Sequence, residues 1–252
     1  MKQLETKNQK LTTNILNFYR EIGINITVSD KLLYKEPFLL RENKENKSQK
    51  QNHNIQKDKD IKIKKLEYLF KNIEDCKLKK TSSNFVGFYG NINSKLLIID
   101  GPPDMEEDKK GISFVSNKGF LFEKMLHAIN IKKDETFIAK SIPWRPPGNR
   151  YPSNDEIKIC RPFIVNLINL LQPKFILCLG EVPTNQILGL NESIIKLRGK
   201  WRTLNLNEYN HKFLVLPTFS VSHLLHRPDL KKYAWADMKL LRDTIKENVT
   251  TL

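Results

Sequence analysis

A chain of 252 residues holds one full domain with a sizeable core, or one domain plus an arm. With 39% apolar and 28% charged residues it reads as soluble, no run nears the ~18 apolar residues of a spanning helix, and the N-terminus lacks a signal peptide's apolar core, so the expected location is cytoplasmic. Three widely spaced cysteines exclude a disulfide framework and a CxxC metal clip, while a net charge of +15 points to nucleic acid as partner, or else reflects a base-composition bias toward Lys, Ile and Asn.

Residues 3–21 place Leu11, Ile15, Leu16 and Tyr19 at helical spacing, and the alternation from Ile22 to Val28 fits a short strand, so residues 1–40 read as a helical N-terminal arm. Residues 41–60 carry one apolar side chain, Ile55, too little to offset the entropy of ordering, and read as a disordered polar linker. Helical periodicity resumes over 62–75 through Ile63, Leu66, Leu69, Phe70 and Ile73, and the main domain is expected over 61–252. Within it, strands are predicted over 95–100, 136–142, 174–180 and 211–217. Helices are predicted over 120–129, 154–171 and 229–246, the second capped by Asn154. This alternation describes an open parallel α/β sheet. Ligands of such sheets bind just outside the carboxyl ends of the strands. The segments there, 100–108, 143–152 and 218–228, are dense in turn-formers and polar groups, with 180–186 milder. The site is expected where they meet.

Those segments carry a family resemblance. Asp100-Gly101-Pro102 is followed by Glu107-Asp108, Gly111 and Phe114, then by Arg145-Pro146-Pro147-Gly148-Asn149-Arg150. Glu156, Cys160 and Pro162 come next, then Leu179-Gly180, Arg198-Gly199, Pro217-Thr218, Leu224-Leu225 and Pro228. In this order the chain resembles the uracil-DNA glycosylase superfamily, specifically its bacterial iron–sulfur type, family four, over roughly residues 63–245. The resemblance implies a three-layer α/β/α sandwich around a central, mainly parallel four-stranded sheet. It also implies a monomer that works on DNA in base excision repair, hydrolysing the N-glycosidic bond of a flipped-out deaminated base such as uracil.

The same resemblance assigns roles. Asp100 stands for the acidic residue of the family's first turn, with capping of the next helix as its other reading. Glu107 matches a second acidic position that orients water, against the reading of a solvated charge. Ser220 occupies the catalytic His position, and His223, three residues on, compensates if the loop shifts. Phe114 matches the aromatic that stacks on the flipped base, with a core Phe as its other reading, and Gly101 is grouped with it as base-binding. Lys140 stands at the Asn that reads the pyrimidine edge, where an ammonium only donates. Arg145, Asn149, Arg150 and Arg227 are candidates for phosphate contacts, which position rather than specify. Leu225 is either an apolar wedge or a loop anchor. Of the family's four cluster cysteines only Cys76 and Cys160 match, with Ile73 and Trp144 in the other places. Two thiolates cannot hold a cubane that needs four, so no metal or cofactor is expected. The changes at Lys140 and Ser220 leave a second reading open, a catalytically impaired DNA-binding member of the fold.

Overall fold

The computed structural model describes residues 50–206 and 211–250; the arm expected over 1–40 and the first part of the expected linker lie outside them. The first helix, α1 (Lys50–Lys71), begins inside the stretch read as linker. Ile63, Leu66 and Phe70 bury one stripe of it, and Lys59 Nζ donates to the Leu171 carbonyl at 2.9 Å. Once such a stripe is anchored, each added residue gains a backbone bond without a new nucleus, and Lys and Gln are good helix formers. The linker reading is therefore corrected from Lys50 onward.

After α1 come β1 (Phe88–Gly90), β2 (Leu96–Asp100), α2 (Met105–Lys110), α3 (Ser116–His127), β3 (Thr136–Lys140) and α4 (Asn154–Leu171). Then follow β4 (Phe175–Leu179), α5 (Glu181–Leu188), α6 (Ile194–Leu197), β5 (Arg202–Leu206), β6 (His211–Thr218), α7 (Val221–His226) and α8 (Lys231–Thr250). The six strands form one sheet in the order β1-β3-β2-β4-β6-β5. Its centre, β3-β2-β4-β6, is parallel and consists of the four strands expected from sequence. The expectation of four strands is extended by β1, antiparallel to β3, and by β5 at the other edge. Every residue of β2, β3 and β4 is buried, so both faces of the sheet are covered, as continuous apolar strands require. No described helix is long and apolar enough to cross a membrane.

The chain falls into two compact units, residues 56–204 with 212–252 and residues 1–55 with 205–211. Of the second, the described residues are the start of α1, the end of β5 and His211. The candidate site lies within the first.

Two caps differ from expectation by their neighbours. Ser153, not Asn154, caps α4: its Oγ accepts from Glu156 N while Glu156 Oε2 accepts from Ser153 N, a reciprocal capping box. Asp104, not Asp100, caps α2, with Glu107 as its return partner. Asp100 is thereby left for the site.

The register then decides what meets at the sheet's edge. Asp100 is level with Lys140 on one side and Leu179 on the other, and Leu179 is level with Thr218. The strand order sends the chain from β2 outward to β3 but from β4 in the opposite direction to β6. The carboxyl ends of β2 and β4 thus flank the topological switch point, where open α/β sheets bind ligands.

Candidate active site

At that switch point lies a cleft of about 540 Å³. Asp100, Gly101 and Pro102 line it from β2, Gly180 and Glu181 from β4, and Ser220 and His223 from the loop after β6, with Asn149 and Lys118 at its sides. The three loops predicted to converge do converge.

Its floor is built by the segment between β2 and α3. The Asp104 cap turns Glu107 inward, where Oε1 accepts from Phe114 N at 2.7 Å. Phe114 and Ser116 both hold left-handed backbone, φ 56° and 54°, an unusual and costly pair for residues with side chains. Gly119 makes the tight return possible, since a Cβ there would come within 2.1 Å of the Phe114 carbonyl oxygen. The segment ends in a closed set of four charges. Lys140 Nζ lies 2.6 Å from Asp100 Oδ2 and 2.7 Å from Glu107 Oε2; Lys118 Nζ lies 2.8 Å and 3.0 Å from the same two oxygens.

Two ammonium groups and two carboxylates cancel, which is what allows them to remain ionised inside the protein. Burial alone would push Glu107 up, but Lys140 and Lys118 overcome it and hold the carboxyl down at about 2. Burial opposes the charged form of Lys118 too, yet Asp100 and Glu107 raise it above the ordinary lysine range. Lys140 is sealed completely, and burial pulls it below that range against the attraction of Asp100 and Glu107. The sign for Glu107 gives a prediction. A carboxyl depressed by folding stabilises the fold fully above its ordinary 4.5, and that contribution is lost as pH falls toward about 2. Urea midpoints followed by tryptophan fluorescence should therefore drop through that window; a flat profile would count against an ionised quartet.

The quartet changes the meaning of two residues singled out from sequence. Phe114 stacks on Phe122 with ring centroids 3.8 Å apart, and the Lys118 and Lys140 ammonium groups each lie 5.4 Å from its ring centre. It is only 4% exposed, so no ring face is offered to the cleft. Lys140 is 0% exposed and stands behind the carboxylates rather than among the residues that line the cleft. Glu107 is likewise no solvated charge, since four donors converge on it.

Lys118 itself escaped the sequence reading. Its signal was there: Lys118, Phe122 and Leu126 share one buried stripe of α3, and a lysine on such a stripe requires a counter-charge.

Across the cleft, Ser220 caps α7 by accepting from His223 N at 3.2 Å, which leaves its hydroxyl hydrogen able to donate. The His223 ring stacks on Phe219 at 5.6 Å. This loop is clamped from beneath by Asp237, a second residue missed from sequence. Asp237 Oδ2 accepts from Thr218 Oγ1 at 2.6 Å, both its oxygens pair with Arg198, and Arg198 also donates to the Tyr233 carbonyl at 2.6 Å.

The outer candidates separate by their engagements. Arg145 Nε donates to Asn149 Oδ1 at 2.7 Å at the mouth of the cleft. Arg150 forms a two-pronged pair with Glu156 and so braces the start of α4, while Arg227 pairs with Asp229 on the surface. Leu224 is buried and anchors its loop, whereas Leu225 is 37% exposed.

The residues at the cluster positions are not the donors of an iron–sulfur cubane. Cys76 and Cys160 are buried and hydrogen-bonded to each other, a contact that lowers Cys76 to about 7. Among the described residues no group of three or more His, Cys, Asp or Glu side chains is placed to hold a metal. Trp144 is buried edge-on against Phe70 and Phe85, each at 5.6 Å, and Phe70 stacks on Phe163 at 4.4 Å. An indole cannot ligate iron, and two sulfurs fall short of four, so the residues present do not fit that cluster.

The chain is similar to known proteins. The sequence model of the uracil DNA glycosylase superfamily matches residues 88–239. A type-4 uracil-DNA glycosylase of Saccharolobus solfataricus is 32% identical over 184 residues, covering 71% of this chain and 84% of the relative. One from Sulfurisphaera tokodaii is 34% identical over 173 residues, 67% of this chain and 78% of the relative. One from Thermotoga maritima is 29% identical over 175 residues, 68% and 88% of the respective chains.

Proposed function

The chain belongs to the uracil DNA glycosylase superfamily, and from that premise we propose that it is a DNA N-glycosylase of base excision repair, cutting the bond between a flipped-out deaminated base, uracil first, and its deoxyribose. The observation that carries this reading is the Asp100 carboxylate at the floor of a cleft at the switch point of the sheet. A nucleotide extruded from the duplex enters such a cleft at a cost of roughly a few kcal/mol of unstacking. Arg145, Asn149 and Arg227 hold phosphates around the mouth, and Leu225 fills the gap left in the stack. As the glycosidic bond lengthens, positive charge grows on the sugar and negative charge on the base. Asp100 faces the first and orients the attacking water; the Ser220 hydroxyl donates to the second. A preorganised donor of that kind is worth about 3–4 kcal/mol of barrier.

A second reading has its own observation. The quartet neutralises Asp100 and the Phe114 ring is closed to the cleft, which favours a member that binds DNA with impaired chemistry. A release assay separates the two. Oligonucleotides carrying uracil, hypoxanthine or xanthine are incubated with the protein, then cleaved with alkali at abasic sites. Strand cleavage at any of these bases is the expected result; DNA binding that weakens steeply with salt, without cleavage, leaves the binder.

The protein works without an iron–sulfur cluster, a reading supported by Ile73 and Trp144 at the positions where the family resemblance expects cysteine. Purified protein should contain no stoichiometric iron or sulfide and no visible charge-transfer absorbance. Finding both would overturn this.

A further inference from the structure

Lys118 sits between the cleft and the Phe114 ring. Of the quartet, Lys118 and Asp100 line the cleft, while Lys140 and Glu107 lie sealed behind them. The Lys118 stem comes off the buried stripe of α3, and its ammonium crosses in front of Phe114 to reach Asp100 Oδ2 and Glu107 Oε2. Among the described residues that line the cleft, Lys118 is therefore the one whose ammonium stands over that ring, while Lys140, at the same 5.4 Å from it, lies outside the lining. Its charge also fixes its position, since two carboxylates hold it at hydrogen-bond distance.

We propose that Lys118 sets the depth of the base pocket, closing the way to Phe114 so that the wild-type cleft holds an extruded nucleotide without stacking its base on that ring. The proposal rests on the reading of the cleft as the nucleotide site, but not on turnover. It makes Lys118 a determinant of specificity. With the side chain in place the site gains little from a base and takes an abasic nucleotide as readily. With the side chain shortened, the space in front of Phe114 opens and a pyrimidine gains a stacking surface.

The test is binding of the full chain to duplexes containing 2′-fluorodeoxyuridine, whose base stays attached, against duplexes containing a tetrahydrofuran abasic analogue. Wild type should bind the two within about twofold of each other. Lys118→Ala should prefer the uracil duplex by about tenfold, the change that stacking one base on an aromatic ring is worth. Lys118→Met loses the two ion pairs, and stability with them, but keeps most of the length, so once folded its uracil-to-abasic ratio should stay within about twofold; this separates space from electrostatics. A folded Lys118→Ala without a gain overturns the proposal, as does a gain of equal size in Lys118→Met. A wild-type preference of about tenfold for uracil also overturns it, and that comparison stands even if Lys118→Ala fails to fold. Because none of these readings requires base release, a silent release assay with the expected binding pattern counts against the glycosylase reading alone. Active release without the pattern counts against the Lys118 proposal alone.

Discussion

Asp100→Asn should lower the stability of the domain by about 3–5 kcal/mol and abolish base release. The substitution is nearly isosteric, so its cost is electrostatic. In the wild type two ammonium groups face two carboxylates, with every one of the four side chains 5% exposed or less. Removing one negative charge leaves Lys118 and Lys140 sharing Glu107 alone, and an uncompensated buried charge is far more costly than a missing surface pair. Loss of release in this variant would by itself be ambiguous, since an unstable enzyme also loses activity. The double variant Asp100→Asn with Lys118→Met resolves it. One cation then faces one anion, the balance is restored, and urea melts should recover most of the lost stability, giving a large coupling energy between the two sites. Release should remain absent in the refolded double variant if Asp100 acts at the sugar. A single variant that melts within about 1 kcal/mol of wild type would show that the quartet is not held ionised. A stable double variant with normal release would remove Asp100 from the chemistry.

By resemblance, Asp100 reads as the acidic residue of the family's first turn, or else as a helix cap, and Lys140 stands at the position that reads the pyrimidine edge. The strands that carry both were legible because 96–100, 136–140, 175–179 and 213–217 are near-continuous apolar runs, the signature of strands buried on both faces. Convergence of the loops followed from the same parallel order. What sequence does not carry is the register that sets Asp100 level with Lys140, or the partners of a charge separated by long stretches of chain. Lys140 lies 33 residues from Glu107 and 40 from Asp100, and the Arg198–Asp237 clamp spans 39. The three residues of β1 and the mixed pattern of β5 are too short or too exposed to announce themselves. The helical start of α1 was hidden for a different reason: ahead of its buried stripe, residues 56–62 are exposed or half-buried, and the helix there depends on an anchor further along.

Trp144→Ala should be the most damaging substitution away from the cleft, at about 3–5 kcal/mol, the range for truncating a buried aromatic. Trp144 is 2% exposed and makes edge-on contacts with Phe70 and Phe85, tying α1 to the segment that enters the Arg145–Arg150 loop. Its neighbours cannot easily collapse into the void, because Phe70 is already stacked against Phe163 of α4 and Phe85 sits on a loop held by the Val86 N to Pro143 carbonyl bond at 2.9 Å. A filled aromatic cluster of this kind resists shrinking and keeps the cavity. Trp144→Phe should recover more than half of the loss, since most of the apolar contact returns. DNA affinity should fall in Trp144→Ala along with stability, because Arg145 and Asn149 follow directly on the loop it anchors. The decisive control is iron. If indole packing does the structural task that a cluster performs elsewhere, chelators leave wild-type melting unchanged, and ferrous iron with sulfide does not rescue Trp144→Ala. A chelator-sensitive wild type, or a truncation that costs under about 1 kcal/mol, would mean that the aromatic cluster is not what holds this corner of the domain together.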